Sequence, residues 1–582
     1  MYKLLNIYRR YLTNYHSVLA YAVLGIVGGV ASGLIVLAFE LAIIELAWLW
    51  GVGDAGEGFE QLPKWQQFVL PAGGALILGL GYLALKPTTR ETGIVHVLSR
   101  MHSDYGVLPF RNATVQFFGG VFALASGQSG GREGPGVHLG SAINSLLGQR
   151  LRLPHNSLRV LIACGTAGGI AAAFNTPLAG VIFAMEVVVA EYTVVGFIPV
   201  MLASVSASAI SRNLGGGTDL FNIPPVHLNS LWELPYIILL GIFCGATVTL
   251  FIRFSRLAAR LAHWPVPLRF GLAGCLTGCL ALLVPQTLGI GYDTLNSTLQ
   301  GELMLNTLLA VAACKLLATS ISCGVGMPIG LIGPTLLIGA CLGGAIGIAG
   351  QFYAPELASS PALYIAIGMA ACMAAVLNAP LAAVLAVIEL TQSASIAMPA
   401  LLAIIAATLT NAGVFRQRAA HQTVLRQLRR VVPNDPLNQL LHRTDVTSLM
   451  EVSVNSIPVK LPQSAIPPLV NTPHAWSLVT RENEGLYLLR GQELADWLSQ
   501  NPSQNPAGDE EEEIHVHLPD ADLRRWSIAT VPMQATLRQA MDRIKERTAE
   551  AVCVYSRSSG GTPVLQGIVT REAIERFTLS NL

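Results

Sequence analysis

The residues best suited to chemistry lie in the segment Ser126–Gly140, which reads Ser-Gly-Gln-Ser-Gly-Gly-Arg-Glu-Gly-Pro-Gly-Val-His-Leu-Gly. It places the charged pair Arg132 and Glu133 among glycines inside an otherwise apolar region. Glycines allow unusual backbone angles and a close approach to a ligand, and Pro135 fits the first turn of a helix. We therefore predict that a helix begins near Glu133 and that its first amides can bind an anion.

Glu133 would itself be an anion at this site. Its carboxylate can compete with a mobile anion for the same amides, among which we count those of Arg132 and Gly134. An ionisable residue at membrane depth is costly and marks a functional site by default, whereas an acidic residue in a first turn more often only caps its helix. We expect Glu133 to gate an anion path, and capping is the alternative.

The segment around Glu133 has a counterpart later in the chain. Gly330–Pro334 repeats the glycine and proline pattern of Gly131–Pro135 at an offset of 330 − 131 = 199 positions. A longer pair joins Gly165–Glu186 to Gly368–Glu389 at an offset of 368 − 165 = 203. This duplication, with matching interruptions of apolar segments, indicates a transporter fold whose site lies between two repeats near the middle of the membrane.

Composition agrees with a polytopic, all-α membrane protein. Of the 582 residues 52% are apolar and only 12% are charged, and the mean hydropathy is +0.53. The net charge of +1 gives no case for nucleic-acid binding. Eight of the nine cysteines lie in the apolar region without metal-ligand spacing, so neither a metal site nor a disulfide framework is predicted.

The apolar segments are uneven in length, and several are shorter than the ~20 residues that a membrane helix needs. We expect half-spanning helices that meet inside the protein, because broken backbone at membrane depth must be buried or line water. Basic residues precede the first apolar run, which predicts an uncleaved cytoplasmic start. Glu40 and Glu45 interrupt that run, and we expect them where tilted helices reach the headgroups.

At these motifs the chain resembles the CLC family of chloride channels and anion/proton exchangers, whose signature is Gly-Arg-Glu-Gly-Pro followed by Asn-x-Pro-Leu-Ala-Gly. The resemblance covers roughly residues 17–425. It implies an inverted-repeat subunit in a homodimer, embedded in the lipid bilayer of the plasma or inner membrane. Each subunit would have its own path for chloride or a similar small anion, need no cofactor for transport, and keep both termini in the cytoplasm.

The resemblance also assigns anion-binding residues in two groups. They are Thr92, Gly93 and Ile94 in an inner group and Leu331, Ile332 and Gly333 in an outer group. Thr92 falls on the family's coordinating serine and keeps its hydroxyl donor, although a helix turn without ion contact is the alternative. Ile332 replaces the family's phenylalanine, so an aromatic wall of the outer site is lost while the amides remain.

The most informative departure from the family follows Glu186. Exchangers usually carry a second glutamate next, as the internal proton acceptor, and this chain has Val187. Because valine cannot carry a proton, Val187 favours a channel or an uncoupled uniporter. Glu186 has a repeat mate, Glu389, which indicates a structural role. No tyrosine stands at the inner gate, and His421 is expected to be a solvated residue at the membrane exit.

After about residue 430 the composition becomes that of a soluble protein. We therefore predict a transmembrane domain over residues 1–430 and a cytoplasmic α/β domain over residues 431–582. The ending Gly-Ile-Val-Thr-x-Glu, at 567–572, resembles a CBS motif. A weaker copy covers about Thr444–Leu498, and the acidic stretch Asp509–Glu513 links the two copies.

A CBS pair can bind an adenine nucleotide or can act as a passive clamp of a dimer, and both readings remain open. In relatives the hydroxyl residue of this ending contacts phosphate, and an acidic residue two positions later holds ribose. These two residues correspond to Thr570 and Glu572. The first copy has Arg490 at the hydroxyl position.

Three functions are compatible with the sequence. The first is a chloride channel or uniporter gated by Glu133. The second is a chloride/proton or fluoride/proton antiporter, and the third is a membrane-tethered nucleotide sensor. The sequence shows no nucleophile–base constellation or phosphate-binding loop, so we do not expect an enzyme.

Overall fold

The structure is a computed structural model that describes residues 18–53, 57–104, 106–189, 194–215, 221, 223–224, 226–356, 358–427, 440–441, 444–462, 465–481, 484–500, 515–518, 523–557 and 563–580. Contacts divide the chain into two units, residues 1–151 with 158–432 and residues 152–157 with 433–582. We call them the membrane unit and the C-terminal unit. The predicted linker Asp509–Glu513 lies outside the described residues.

Helices dominate the described part of the membrane unit. The first half contains α1 (Val18–Trp48), α2 (Lys64–Leu83), α3 (Gly93–Ser103), α4 (Phe110–Ala125), α5 (Glu133–Arg150), α6 (His155–Phe174), α7 (Pro177–Phe183) and α8 (Val194–Leu214). The second half contains α9 (Leu234–Ala259), α10 (Val266–Leu283), α11 (Tyr292–Leu299), α12 (Leu305–Gly324), α13 (Ile332–Tyr353), α14 (Pro361–Leu377), α15 (Pro380–Thr391), α16 (Ala397–Thr408) and α17 (Ala420–Gln427).

Nine helical segments among the described residues are long and apolar enough to cross a membrane. Other apolar helices are shorter, namely α14, α15 and the segment Pro177–Val189 that contains α7. Helix α14 is buried at every position after Pro361, so protein rather than lipid surrounds it. This agrees with the expectation of short helices that meet inside the protein.

The internal repeat appears in the positions where helices begin. Helices α5 and α13 begin at Glu133 and Ile332, which are 332 − 133 = 199 positions apart. Helices α7 and α15 begin at Pro177 and Pro380, which are 380 − 177 = 203 positions apart. These offsets equal those of the sequence motifs, so each motif starts the same element in both repeats.

Paired glycines bring helices of each repeat into backbone contact. A Cβ on Gly140 of α5 would lie 2.3 Å from the carbonyl oxygen of Gly165 in α6. A Cβ on Gly339 of α13 would lie 2.2 Å from the carbonyl oxygen of Gly368 in α14. No side chain fits at such distances, so these glycines allow the close helix packing that is common in membranes.

Each repeat also caps a helix of the other repeat. The carboxylate of Glu186 accepts hydrogen bonds from two amides in the first turn of α15, at 3.3 and 2.9 Å. The carboxylate of Glu389 accepts two from the first turn of α7, at 2.9 and 2.8 Å. These amides have no intrahelical partner, so the structural role expected for Glu186 and Glu389 is confirmed.

The C-terminal unit is built from short strands and helices. Its described elements are β1 (Val454–Pro458), β2 (Lys460–Pro462), α18 (Ile466–Asn471), β3 (Trp476–Arg481), β4 (Glu484–Arg490), α19 (Gly491–Gln500), β5 (His515–His517), β6 (Ile528–Pro532), α20 (Leu537–Arg547), β7 (Ala551–Arg557), β8 (Pro563–Thr570) and α21 (Arg571–Ser580). Thr536 and Gln539 form a capping box at the start of α20.

Two three-stranded sheets of the C-terminal unit have the same pairing. Strand β1 runs parallel to β3, which runs antiparallel to β4. Strand β6 runs parallel to β7, which runs antiparallel to β8. In both sheets a helix connects the parallel strands and another follows the last strand. The unit therefore contains two copies of one arrangement, where the sequence predicts a motif and its weaker copy.

Candidate anion site

The two repeats meet where α5 and α13 begin. The amide of Gly131 donates to the carbonyl oxygen of Gly330 at 2.7 Å, and the amide of Gly330 donates to that of Gly131 at 2.7 Å. A Cβ on Gly330 would lie 2.8 Å from the amide nitrogen of Gly134, so a glycine is needed at this crossing. The bridge brings two helix N-termini, with the positive ends of their dipoles, close together.

Glu133 is fully buried at this crossing. Its Oε2 accepts a hydrogen bond from the amide of Gly333 at 3.0 Å, and its Oε1 accepts one from the hydroxyl of Tyr292. Gly333 belongs to the first turn of α13. The carboxylate therefore accepts a hydrogen bond from an amide of the opposite repeat and does not cap its own helix. Competition with a mobile anion requires this arrangement.

Tyr292 is a member of the site for which the sequence gives no signal, because it is one aromatic residue in an apolar region. It begins α11 directly after Gly291, whose φ of +88° belongs to the left-handed region that favours glycine. Its ring packs edge-on against Phe221, with centroids 5.1 Å apart. The ring is thus held firmly while its hydroxyl reaches Glu133.

The two terminal nitrogens of the Arg132 side chain have partners within the protein. Its guanidinium pairs with Glu40 of α1, donates to the carbonyl oxygen of Ala173 at 3.2 Å and lies 5.3 Å from the centre of the Tyr292 ring. Its Nε is buried and has no hydrogen-bond partner among the described residues, so Arg132 could offer this N–H as well as its backbone amide to an anion. The expectation that Glu40 lies among lipid headgroups is wrong, because Glu40 pairs with the buried guanidinium of Arg132.

Lys315 of α12 binds the backbone of the loop that precedes Tyr292. Its buried ammonium donates to three consecutive carbonyl oxygens, those of Thr287, Leu288 and Gly289, at 3.2, 3.3 and 2.8 Å. Three donors match three acceptors, so the charge is satisfied and the loop before Tyr292 is fixed. A single lysine inside an apolar segment was the signal that could have identified it.

The inner group predicted from the resemblance is only partly available to an anion. Thr92 is the N-cap of α3, and its hydroxyl makes no capping hydrogen bond. The amide of Gly93 donates to the side-chain oxygen of Gln116 at 2.8 Å, so an anion could use this amide only after Gln116 has moved, and an anion ligand at Gly93 stays a prediction. Ile94 is buried in the first turn of α3. Gln116 also donates to the carbonyl oxygen of Pro328 at 2.9 Å, which links α4 to the loop before α13.

The residues of the outer group lie at the start of α13, and their role as anion ligands stays a prediction. Leu331 is the N-cap, and Ile332 and Gly333 are the first two residues of the helix, both buried. Gly333 already binds Glu133. An anion can use the Gly333 amide only after the carboxylate has left.

Two further positions concern protons and the inner gate. Val187 lies in a π-helical continuation of α7, Ala184–Val189, and is 8% exposed within the apolar core. His421 is 5% exposed in the first turn of α17, which packs against α3. Its Nδ1 has no hydrogen-bond partner among the described residues. The expectation of a solvated His421 is therefore wrong, and the buried ring is a candidate for the place of the missing tyrosine.

The residues that were predicted to bind a nucleotide lie in the C-terminal unit, and some of them have partners within the protein. The hydroxyl of Thr570 accepts a hydrogen bond from the amide of Ala573 at 3.2 Å and so caps α21. Glu572 is exposed in the first turn of α21. Arg490 of the weaker copy lies over the rings of Trp476 and Trp526, 5.7 and 5.4 Å from their centres. Within the described residues no group of His, Cys, Asp or Glu could hold a metal ion.

Comparisons with known proteins agree with this geometry. The chain is 32% identical over 406 residues to a "Putative chloride channel protein ClcB-like" of Ralstonia nicotianae, covering 67% of this chain and 92% of that protein. It is 30% identical over 433 residues to an H(+)/Cl(−) exchange transporter ClcA of Vibrio cholerae, covering 72% and 90%. The crystal structure of a eukaryotic CLC transporter has a TM-score of 0.59 and 20% identity, covering 95% of this chain and 97% of that one.

The family model for the voltage gated chloride channel matches residues 73–412, which is more than half of the chain and includes both Gly131–Pro135 and Gly330–Pro334. Together with the identity to full-length relatives, this range shows that the chain belongs to the CLC family of voltage gated chloride channels and transporters.

Proposed function

We propose that this chain exchanges chloride for protons across a membrane, along a path gated by Glu133. As a CLC protein it is an integral membrane protein that transports chloride and is not an enzyme. The coupling of chloride transport to proton transport is the part that we propose. It is supported by the relative named as an H(+)/Cl(−) exchange transporter, which aligns with 72% of this chain.

The observation that carries the proposal is the carboxylate of Glu133 on the amide of Gly333. Protonation would remove the charge that an amide and a helix dipole attract, and the neutral side chain could leave. An anion would then take the vacated amide at the start of α13. Because one carboxyl group both binds the proton and blocks the anion, movement of the two ions is linked at this residue.

A channel or uncoupled uniporter is the second candidate, and Val187 favours it. Val187 is buried among apolar residues and offers no titratable group at the place of the internal proton acceptor. In a channel the protonation of Glu133 would open the path without net proton transport. Fluoride in place of chloride is a variant of the exchange proposal that the same assay can test.

The test is simultaneous recording of chloride and proton movement by the full chain in liposomes. An outward chloride gradient should drive protons uphill, and Glu133→Gln should abolish proton movement while chloride passes with little dependence on pH. Glu45→Gln is the matched control, because Glu45 is exposed on α1. Chloride flux without proton movement in the unmodified protein would establish the channel, and no flux of either ion would refute transport.

The proposal includes the inner gate and the arrangement of the membrane unit. His421 would contact the anion from the inner side, as its buried first-turn position on α17 suggests. A homodimer and cytoplasmic termini are parts of the proposal that rest on the family resemblance and on basic residues flanking the apolar region.

The C-terminal unit would be a regulatory CBS pair. Its two copies with the same strand pairing support this assignment. Binding of adenine nucleotide near Thr570 and Glu572 is the corresponding ligand proposal, and calorimetric titration of the full chain with ATP or AMP is its measurement. A membrane-tethered sensor without transport is not favoured, because the gate is complete in the membrane unit.

A further inference from the structure

Two buried histidines join α3, which carries the inner group, to α5, which begins at Glu133. His96 lies one turn into α3, and His138 lies in α5, five residues after Glu133. The Nδ1 of His96 and the Nε2 of His138 are 2.8 Å apart. The two side chains are 1% and 0% exposed. Neither histidine has a role in the anion site described above.

The protons of this histidine pair can be placed from Arg100. A guanidinium can only donate, and the Nε of Arg100 donates to the Nε2 of His96 at 3.3 Å. A neutral His96 therefore carries its proton on Nδ1 and donates it to the Nε2 of His138. A neutral His138 then carries its proton on Nδ1, which is buried and has no hydrogen-bond partner among the described residues.

Arg100 extends the pair towards solvent. It forms an ion pair with Asp104, with 3.1 Å between nitrogen and oxygen, and the Asp104 side chain is 44% exposed. A continuous series of polar groups thus runs from the buried Nδ1 of His138, through His96 and Arg100, to a solvated carboxylate. Each contact in the series is within 3.3 Å.

The series ends at the face that we assign to the cytoplasm. Helices α3 and α5 run towards the same face, because Ser145 of α5 binds the backbone of Gly106 and Leu108 just after α3. Arg111 and Arg150 are exposed there, and positive residues concentrate on the cytoplasmic side of membrane proteins.

At its other end the series approaches Glu133. Five residues of α-helix separate Glu133 from His138, a rise of about 7.5 Å. An unpartnered buried N–H is the kind of group that ordered water satisfies, and more than one water would be needed to connect it to the Glu133 carboxylate. Chains of titratable side chains and water are how protons cross apolar membrane interiors.

We propose that His96 and His138 carry protons between Glu133 and the cytoplasmic face, in the role that Val187 cannot fill. When Arg100 turns away towards Asp104, a proton from water binds the Nε2 of His96. The Nδ1 proton of His96 passes to the Nε2 of His138, and the Nδ1 proton of His138 passes through water to the Glu133 carboxylate. One N–H bond forms and one breaks at each ring, so both rings end neutral with their protons on Nε2. Rotation of both rings restores the starting tautomers before the next proton, and the same steps in reverse carry a proton from Glu133 to the cytoplasmic face.

Other titratable groups near the pair have different positions. His102 of α3 bonds through Nδ1 to the carbonyl oxygen of Leu98 in its own helix, at 2.8 Å. His421 lies on α17, which packs against α3. His102 therefore provides a control on the same helix, and His421 belongs to the proposed inner gate.

The test uses His96→Gln and His138→Gln in the full chain in liposomes, with both ions recorded. Glutamine keeps hydrogen-bonding ability but does not take up a proton. We expect chloride-driven proton movement to fall about tenfold or more, while chloride flux continues and the proton-to-chloride ratio falls. His102→Gln should leave the ratio unchanged.

The outcomes separate this inference, which rests on the proposed exchange, from the exchange itself. Unchanged ratios in both variants, with proton pumping by the unmodified protein, would overturn the relay and leave exchange intact. Equal losses of both ions in both variants would indicate a structural role and would also overturn it. Absence of proton pumping in the unmodified protein would refute exchange together with the relay.

Discussion

Two groups donate hydrogen bonds to the Glu133 carboxylate, and they differ in whether they can also bind a mobile anion. The amide of Gly333 can bind either the carboxylate or a mobile anion, because it lies at the start of α13. The hydroxyl of Tyr292 is fixed on the ring that Phe221 and Arg132 flank, and it points to the carboxylate. Tyr292 therefore stabilises the Glu133 carboxylate on the Gly333 amide, which is the closed position in the proposed gate.

Tyr292→Phe should open the gate more readily. The variant keeps the ring and its contacts but removes a hydrogen bond to a charged group, a loss of about 1.5–3 kcal/mol. We expect faster chloride flux at neutral pH, by about tenfold for each 1.4 kcal/mol of gating free energy, with a weaker dependence on pH. Flux from liposomes across a pH series is the measurement.

The matched control is Tyr82→Phe. Tyr82 is also buried in the membrane unit, but its hydroxyl has no hydrogen-bond partner among the described residues. If Tyr292→Phe behaved like this control in both rate and pH dependence, Tyr292 would have no part in holding Glu133.

Residue types predicted some members of the site and missed others. Glu133 could be predicted because a carboxylate among glycines in an apolar segment has few structural explanations. Tyr292 could not, because an aromatic residue in an apolar region is ordinarily core. The hydrogen bond from the Gly93 amide to Gln116 could not be predicted either, because Gln116 lies 23 positions away and no local pattern connects the two residues.

At the scale of elements, Glu186 caps α15 and Glu389 caps α7. Substitution of these two residues tests the structural role of Glu186. We expect Glu186→Gln and Glu389→Gln to destabilise the membrane unit by similar amounts, on the order of 1–3 kcal/mol, because each leaves helix-end amides with a weaker acceptor. The ratio of protons to chloride should not change in either variant. Thermal unfolding in detergent and ion flux in liposomes are the two measurements.

The two variants control for each other because the residues occupy equivalent places in the two repeats. A fall in the proton ratio confined to Glu186→Gln would contradict the structural role and would make Glu186 part of a proton route. If both variants lost similar stability and kept the proton-to-chloride ratio, Glu186 would not carry protons. The pair His96 and His138 would then remain as the proposed proton route.

Helix starts were the elements that the sequence predicted best. Glycine and proline motifs gave the beginnings of α5 and α13 and their common spacing, because these residues interrupt apolar runs. The π-helical continuation of α7 around Val187 had no signal. Its geometry depends on packing within the apolar core, which a periodicity argument does not contain.

At the scale of the whole molecule, the C-terminal unit has its own response to pH. Asp445 is 3% exposed, and its carboxylate oxygens have no hydrogen-bond partner among the described residues. Burial raises the pKa of the Asp445 carboxyl from 3.8 to about 7. The folded unit holds a proton that the unfolded chain releases, so its free energy of unfolding should fall between pH 4 and 7 and level off above.

Asp445→Asn should reduce this fall, because an amide of the same shape does not titrate. We expect the C-terminal unit of the variant to unfold at a higher temperature than the original at pH 8, with little difference at pH 4. Hydrogen exchange of the full chain along a temperature series can follow this unit. The control is Asp496→Asn, an exposed position on α19, and equal pH profiles of both variants would contradict the assignment to Asp445.

The bridge between Gly131 and Gly330 has a consequence for biosynthesis. Its two residues are 330 − 131 = 199 positions apart, and contacts between distant positions form slowly because a long loop must close first. While the ribosome makes the second half, the first half waits in the bilayer with the start of α5 still lacking its counterpart. The crossing of α5 and α13 therefore cannot assemble until the second repeat has been made, and a chain interrupted before residue 330 cannot form this bridge.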